Sequence, residues 1–88
     1  MRKTWTDKGW DDYLYWQGQD KKTLKKINDL IKDIDRNGVA VGKGKPEQLK
    51  GDLQGYWSRR IDEKNRLVYE QTTDGSLCIV GCRSHYES

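Results

Sequence analysis

The sequence predicts an α+β domain of order β-α-α-β-β-β, with two helices packed on one face of an antiparallel sheet. Three observations carry this. In the first half, Leu24, Ile27, Ile31 and Ile34 recur at spacings of 3, 4 and 3, the apolar stripe of a helix with one buried face. In the second half, three β-prone runs cover residues 55–61, 66–72 and 77–83. The segments between them, Asp62-Glu63-Lys64-Asn65 and Thr73-Asp74-Gly75, have the composition of hairpin turns, which predicts an antiparallel meander.

Taken in order, residues 2–5 form a short β-prone segment, and Thr6-Asp7 offers a side-chain oxygen to cap a helix. Trp10, Tyr13, Leu14 and Trp16 then recur at near-helical spacing until Gly18 ends the run. Asp20 starts the second helix, and Asn37-Gly38 closes it because both residues tolerate positive φ. Residues 38–55 hold five Gly and one Pro without sustained periodicity. This segment reads as a long loop with a single helical turn at 46–50, and loops of such length are often functional. In the strand that follows, alternation sets Leu67 and Tyr69 on one face and Arg66, Val68 and Glu70 on the other. With the helices over Leu67, Arg66 faces the open side of the sheet, where a ligand can be met.

At 88 residues the chain is one domain, 1–88. Leu, Ile and Val total 16 with no Phe, a level at which disorder becomes an issue. A net charge of only +3, four Trp and five Tyr argue for a folded domain whose thin aliphatic core is supplemented by aromatics. Trp5, Trp10 and Trp16 are assigned to the core or a dimer interface. Trp57 adjoins the basic Ser58-Arg59-Arg60 run. The longest apolar run, residues 77–82, falls far short of the roughly 20 residues that span a bilayer, and no apolar segment follows the charged start. A cytoplasmic protein without a membrane partner is expected. Cys78 and Cys82, four apart in a strand, would sit about 13 Å from each other, too far for a disulfide. With one His and no ligand cluster, neither a metal site nor a cofactor is expected.

Residues 21–66 carry a net charge of +6 and the remainder −3, which gives a positive surface suited to a phosphate backbone. Lys21, Lys22, Lys25, Lys26 and Lys32 fit an ordinary solvated helix face. The cluster from Lys43 to Arg66 is interleaved with aromatics and strand residues and is the stronger candidate for contact with RNA. Gly42-Lys43-Gly44-Lys45-Pro46 lacks the spacing and the Gly-Lys-Ser/Thr ending of a nucleotide-triphosphate loop. Nothing around Ser58, Ser76 or Ser84 resembles a nucleophile elbow. What remains is His85, Glu47 and the Arg and Lys residues between them, the parts needed for metal-free RNA cleavage. In that reaction a base deprotonates the ribose 2′-OH, cations stabilise the crowded phosphoryl oxygens, and an acid protonates the departing 5′-oxygen. Taken singly, His85 has an ordinary reading as a surface residue and Glu47 as a carboxylate at a helix N-terminus.

Several longer segments point further: Trp10-Asp11-Asp12-Tyr13-Leu14-Tyr15-Trp16, Lys25-Lys26-Ile27-Asn28, Gly42-Lys43-Gly44-Lys45-Pro46-Glu47, Leu49-Lys50, Trp57-Ser58-Arg59-Arg60-Ile61, Arg66-Leu67-Val68-Tyr69, Cys82-Arg83 and His85-Tyr86. Over nearly the whole chain they resemble the YoeB (Txe) family of bacterial toxins within the RelE-like superfamily. The resemblance implies a microbial ribonuclease-like fold and a ribosome-dependent mRNA endonuclease, the toxin of a type II toxin-antitoxin pair that cuts messenger RNA in the A site of the 70S ribosome. By position it places the general base on Glu47, the phosphate-stabilising arginine on Arg66, the general acid on His85 and the terminal tyrosine on Tyr86. Lys50 and Arg59 or Arg60 match basic, RNA-contacting residues. It also implies a YefM-like antitoxin partner, a homodimer, and operator DNA contacted only through the toxin-antitoxin complex.

Two departures stand out: Glu87-Ser88 follow Tyr86, where the family commonly ends, and Ser84 stands where an aromatic is often found. The alternative on the same scaffold is a non-catalytic ribosome- or RNA-binding translation inhibitor. A third is an interaction module whose basic face only holds an acidic antitoxin. The joint presence of Glu47, Arg66 and His85 favours the nuclease.

Overall fold

The computed structural model describes residues 1–84, and both helices begin at the expected caps. Thr6 ends strand β1 (Lys3–Trp5) and accepts the Gly9 N–H on its hydroxyl at 3.0 Å, opening helix α1 (Asp7–Gln19). Asp20 accepts from the N–H groups of Lys22 and Thr23 and opens α2 (Lys21–Asn37). Gly38 closes α2 with φ 91°, its N–H donating to the Ile34 carbonyl. Gly18 does not end α1, which runs one residue past it. The rest of the chain forms β2 (Glu47–Gln48), a single 3-10 turn (Gly51–Leu53), β3 (Trp57–Arg60), β4 (Arg66–Gln71) and β5 (Leu77–Gly81).

The five strands lie in the order β1-β5-β4-β3-β2. The predicted α+β architecture stands, and β2 to β5 form the antiparallel part of the sheet. At one edge the expectation of a wholly antiparallel sheet is corrected, because β1 pairs with β5 in parallel. No hairpin dictates the direction of β1, since both helices and three strands intervene before β5. Its register is set instead by the Leu77 N–H donating to the Arg2 carbonyl and the Thr6 N–H to the Ile79 carbonyl. The helical turn expected at 46–50 is also replaced. The Glu47–Gln48 backbone finds its partners across β3, opposite Ser58 and Trp57.

The α2 stripe of Ile27, Leu30, Ile31 and Ile34 packs on Leu67, Tyr69, Leu77 and Ile79 of one sheet face. Trp5, Tyr13, Trp16 and Trp57 thicken this core, as the aliphatic shortfall requires. Trp10 is largely exposed, its ring stacked on Tyr13 and edge-on to Trp5. Along β5 the pairing jumps from Ile79 opposite Tyr69 to Gly81 opposite Val68, a bulge at Val80. The extra residue reverses the alternation. Cys78 therefore pairs with Glu70 on the open face, while Cys82 lies in the core. Both thiols are free, and burial pushes that of Cys82 up to about 12. No helix among the described residues is long and apolar enough to cross a membrane.

Gly9 is the point of closest approach between α1 and the sheet. A Cβ there would run into the Ile79 carbonyl oxygen, with the carbonyl carbon at 3.0 Å and the Thr6 hydroxyl at 3.3 Å. Gly9→Ala gains about 1 kcal/mol in helix propensity but must push the helix off a strand that is hydrogen-bonded on both sides. A net loss of about 1–3 kcal/mol is expected, read as a thermal midpoint lower by about 4–8 °C per kcal/mol.

Candidate nucleic-acid interface

The strand register brings three of the predicted site residues to one face. Glu47 pairs with Ser58, Ser58 with Val68, and Arg60 with Arg66. Side chains at paired positions share a face, and Leu67 and Tyr69 fill the helix-covered one. Glu47, Arg60 and Arg66 therefore all project from the opposite, open face. Glu47 and Arg60 are exposed and Arg66 is half-buried, with the buried Ser58 and Val68 in the row between Glu47 and Arg66. Two strand spacings across and two residues along put the Glu47 and Arg66 Cα atoms about 12 Å apart, a span that the two long side chains can close around a phosphodiester.

Arg60 and Arg66 are direct cross-strand neighbours, an arrangement that repels unless an anion lies between them. Among the described residues no carboxylate comes within ion-pair distance of either. The Arg66 Nη1 donates to the Asp62 carbonyl at 2.7 Å and the Asn65 carbonyl at 3.1 Å, which fixes the guanidinium against the β3–β4 turn. Lys26 and Lys45 join the two arginines, with Asp62 and Glu63, around a cavity of about 410 Å³. Lys50 stands three residues beyond Glu47, exposed at the β2 edge beside a second cavity of about 310 Å³ that Gln48, Leu49 and Gln54 also line.

Arg59 departs from the expected role. It is 0% exposed and points into the core, so it does not reach RNA. All five of its N–H donors are used: Nε to the Tyr69 hydroxyl, Nη1 to Asp33 at 2.6 Å and the Lys43 carbonyl, and Nη2 to the carbonyls of Gly38 and Val41. The Tyr69 hydroxyl in turn donates a hydrogen bond to the Val39 carbonyl at 2.7 Å. The physical reason is parity, because residue 59 shares the core-facing side of β3 with Trp57 while Arg60 takes the open side. Arg59 is thus what orders the glycine-rich loop that delivers Glu47. Gly42, at φ 125°, comes so close that a Cβ would strike the Asp33 carboxylate. The N–H of Lys43 beside Asp33, and then the Arg59 guanidinium, hold the Asp33 carboxyl below the usual range. Burial raises the Tyr69 hydroxyl despite the Arg59 donor. On the open face, the Glu70 carboxylate raises Tyr56 through its charge and a hydrogen bond.

The sequence reading passed over Asp33. In the sequence it is only a carboxylate at the border of the Leu30–Ile34 apolar stripe with Arg36 at i+3, which reads as an ordinary surface helix pair. It also passed over Asp12, buried in α1, whose carboxylate accepts the Cys82 N–H at 3.0 Å. His85 and Tyr86 lie outside the described residues. The preceding residue, Ser84, accepts the Arg66 N–H on its carbonyl at 2.9 Å.

A family profile described as a YoeB-like toxin of bacterial type II toxin-antitoxin system matches residues 5–86. Toxin YoeB of Escherichia coli (strain K12) is 58% identical over 86 residues, covering 98% of this chain and all of the relative. Two solved Staphylococcus aureus structures superpose over 98% of both chains. A YoeB-YefM complex does so with a TM-score of 0.90 at 48% identity, and a YoeB dimer with 0.89 at 49%.

Proposed function

Because the chain belongs to the YoeB-like toxins of bacterial type II toxin-antitoxin systems, we propose that it inhibits translation as an endonuclease that cuts messenger RNA in the ribosomal A site. The observation that carries this reading is the shared open face of Glu47, Arg60 and Arg66. The Glu47 carboxylate removes the 2′-OH proton, and the 2′-oxygen bonds to the adjacent phosphorus. The P–O5′ bond breaks, and His85 gives its proton to the departing 5′-oxygen, leaving a 2′,3′-cyclic phosphate and a free 5′-hydroxyl. Arg66, with Arg60 beside it, neutralises the charge that builds on the non-bridging oxygens. Lys50 contacts the RNA backbone at the sheet edge, and Tyr86 lies next to the acid in sequence. These groups supply both proton transfers and the compensating charge, so the mechanism requires no metal or cofactor.

The S. aureus structures are of a YoeB dimer and of a YoeB-YefM complex. By the same family relation this chain acts in the cytoplasm as a homodimer, is neutralised by a YefM-like antitoxin, and meets operator DNA only within that complex.

Primer extension on a defined message in programmed ribosomes, with a metal chelator present, tests the reading. Codon-positioned cuts should survive chelation and fall by about 10²–10⁴ in both Glu47→Ala and His85→Gln. Blocked translation with intact message would instead establish a non-catalytic inhibitor.

A further inference from the structure

At Cys82, just beyond the end of β5, the hydrogen-bond partners come from helix α1. The Cys82 N–H donates to the Asp12 carboxylate at 3.0 Å, and the Cys82 carbonyl accepts from the Trp16 indole Nε1 at 2.8 Å. Two side chains one helical turn apart thus hold both polar groups of a single backbone unit. Lys8 anchors the Asp12 carboxylate from the preceding turn at 2.7 Å. The next residue is held as well, with the Arg83 guanidinium lying over the Tyr15 ring at 3.5 Å from its centroid.

The chain then passes through Ser84 at φ 148°, a conformation that residues with a side chain rarely adopt, and is bonded there to the Arg66 N–H. Backbone strain of this kind persists only where the surroundings over-determine it, and it concentrates at functional sites. Three consecutive residues are therefore fixed from two elements immediately before His85.

We propose that Asp12 and Trp16 are positioning residues: by fixing the backbone at Cys82, three residues before His85 in sequence, they govern the protonation of the departing 5′-oxygen that the nuclease reading assigns to His85. The proposal rests on the nuclease reading above. It assigns to α1, remote from the open face, control over the step in which the 5′-oxygen departs. Nothing in the proton transfer itself involves Asp12 or Trp16.

The test uses the full chain on programmed ribosomes under single-turnover conditions with two messages. One is ordinary RNA. The other carries sulfur in place of the scissile 5′-oxygen, a leaving group that needs no protonation. The variants are Trp16→Phe, which keeps the ring and removes the N–H donor, Asp12→Ala, and Asp12→Asn as the conservative replacement that retains an acceptor.

Trp16→Phe and Asp12→Ala should cut ordinary RNA about 10- to 100-fold more slowly and cut the sulfur message at close to the wild-type rate, as His85→Gln should. Asp12→Asn should recover most of the loss. Equal losses on both messages, or wild-type rates on both, would overturn the positioning role and leave Asp12 and Trp16 as structural contacts. Should Asp12→Ala fail to fold, Trp16→Phe alone decides between these outcomes. If His85→Gln is itself not relieved by the sulfur message, the acid assignment falls, and the role of the clamp falls with it.

Discussion

Replacing Arg66 with Gln is expected to slow message cleavage by about 10²–10³, the loss typical of removing one preorganised donor to a developing oxyanion. The expected loss lies in the single-turnover rate more than in ribosome affinity, because Arg60, Lys26 and Lys45 keep the local positive charge. The geometry gives a further expectation. Nη1 of Arg66 is committed to the turn carbonyls of Asp62 and Asn65, so the planar fork is aimed before substrate arrives. Arg66→Lys, a point charge without the fork, should recover only part of the rate. Full recovery would show that charge alone suffices, and an Arg66→Gln protein at wild-type rate would remove Arg66 from the mechanism.

Arg59→Met is expected to be the most destabilising single change. Its five hydrogen bonds reach three loop carbonyls, Asp33 and Tyr69. Deleting one partner of a buried ion pair typically costs about 3–5 kcal/mol, a large part of the stability of a small domain. Thermal denaturation at neutral pH should show a fall of at least about 12 °C. Acid titration identifies the cause. The folded-state pKa of Asp33 is depressed, so its contribution is fully present above the unfolded value of about 3.9 and is lost as pH falls through the folded value. The wild type should therefore lose stability below about pH 4 more steeply than Arg59→Met, and the gap between them should narrow. A gap of constant size from pH 7 to pH 3 would mean that lost packing, not the ion pair, accounts for the change.

These two arginines show how far local patterning carries. The helix caps at Thr6 and Asp20, the buried stripe of α2 and the opposed faces of Leu67 and Arg66 follow from short-range periodicity and side-chain chemistry, so they are legible without coordinates. Motif-level likeness likewise identified the family and drew attention to Glu47 and Arg66. Arg59 and Arg60 are chemically identical neighbours, and which one meets solvent depends on the parity of β3 against a sheet face chosen by distant helices. The parallel pairing of β1 with β5, the Val80 bulge that parts Cys78 from Cys82, and the clamp of Asp12 and Trp16 on Cys82 all join residues more than 60 positions apart or turn on one inserted residue. The sequence by itself determined the two helices, the three hairpin-joined strands and the family, and nominated the residues of the candidate site. Only the tertiary structure decided which basic side chains stand on the open side of the sheet and which hold the scaffold, because burial is a property of long-range packing that no local pattern encodes.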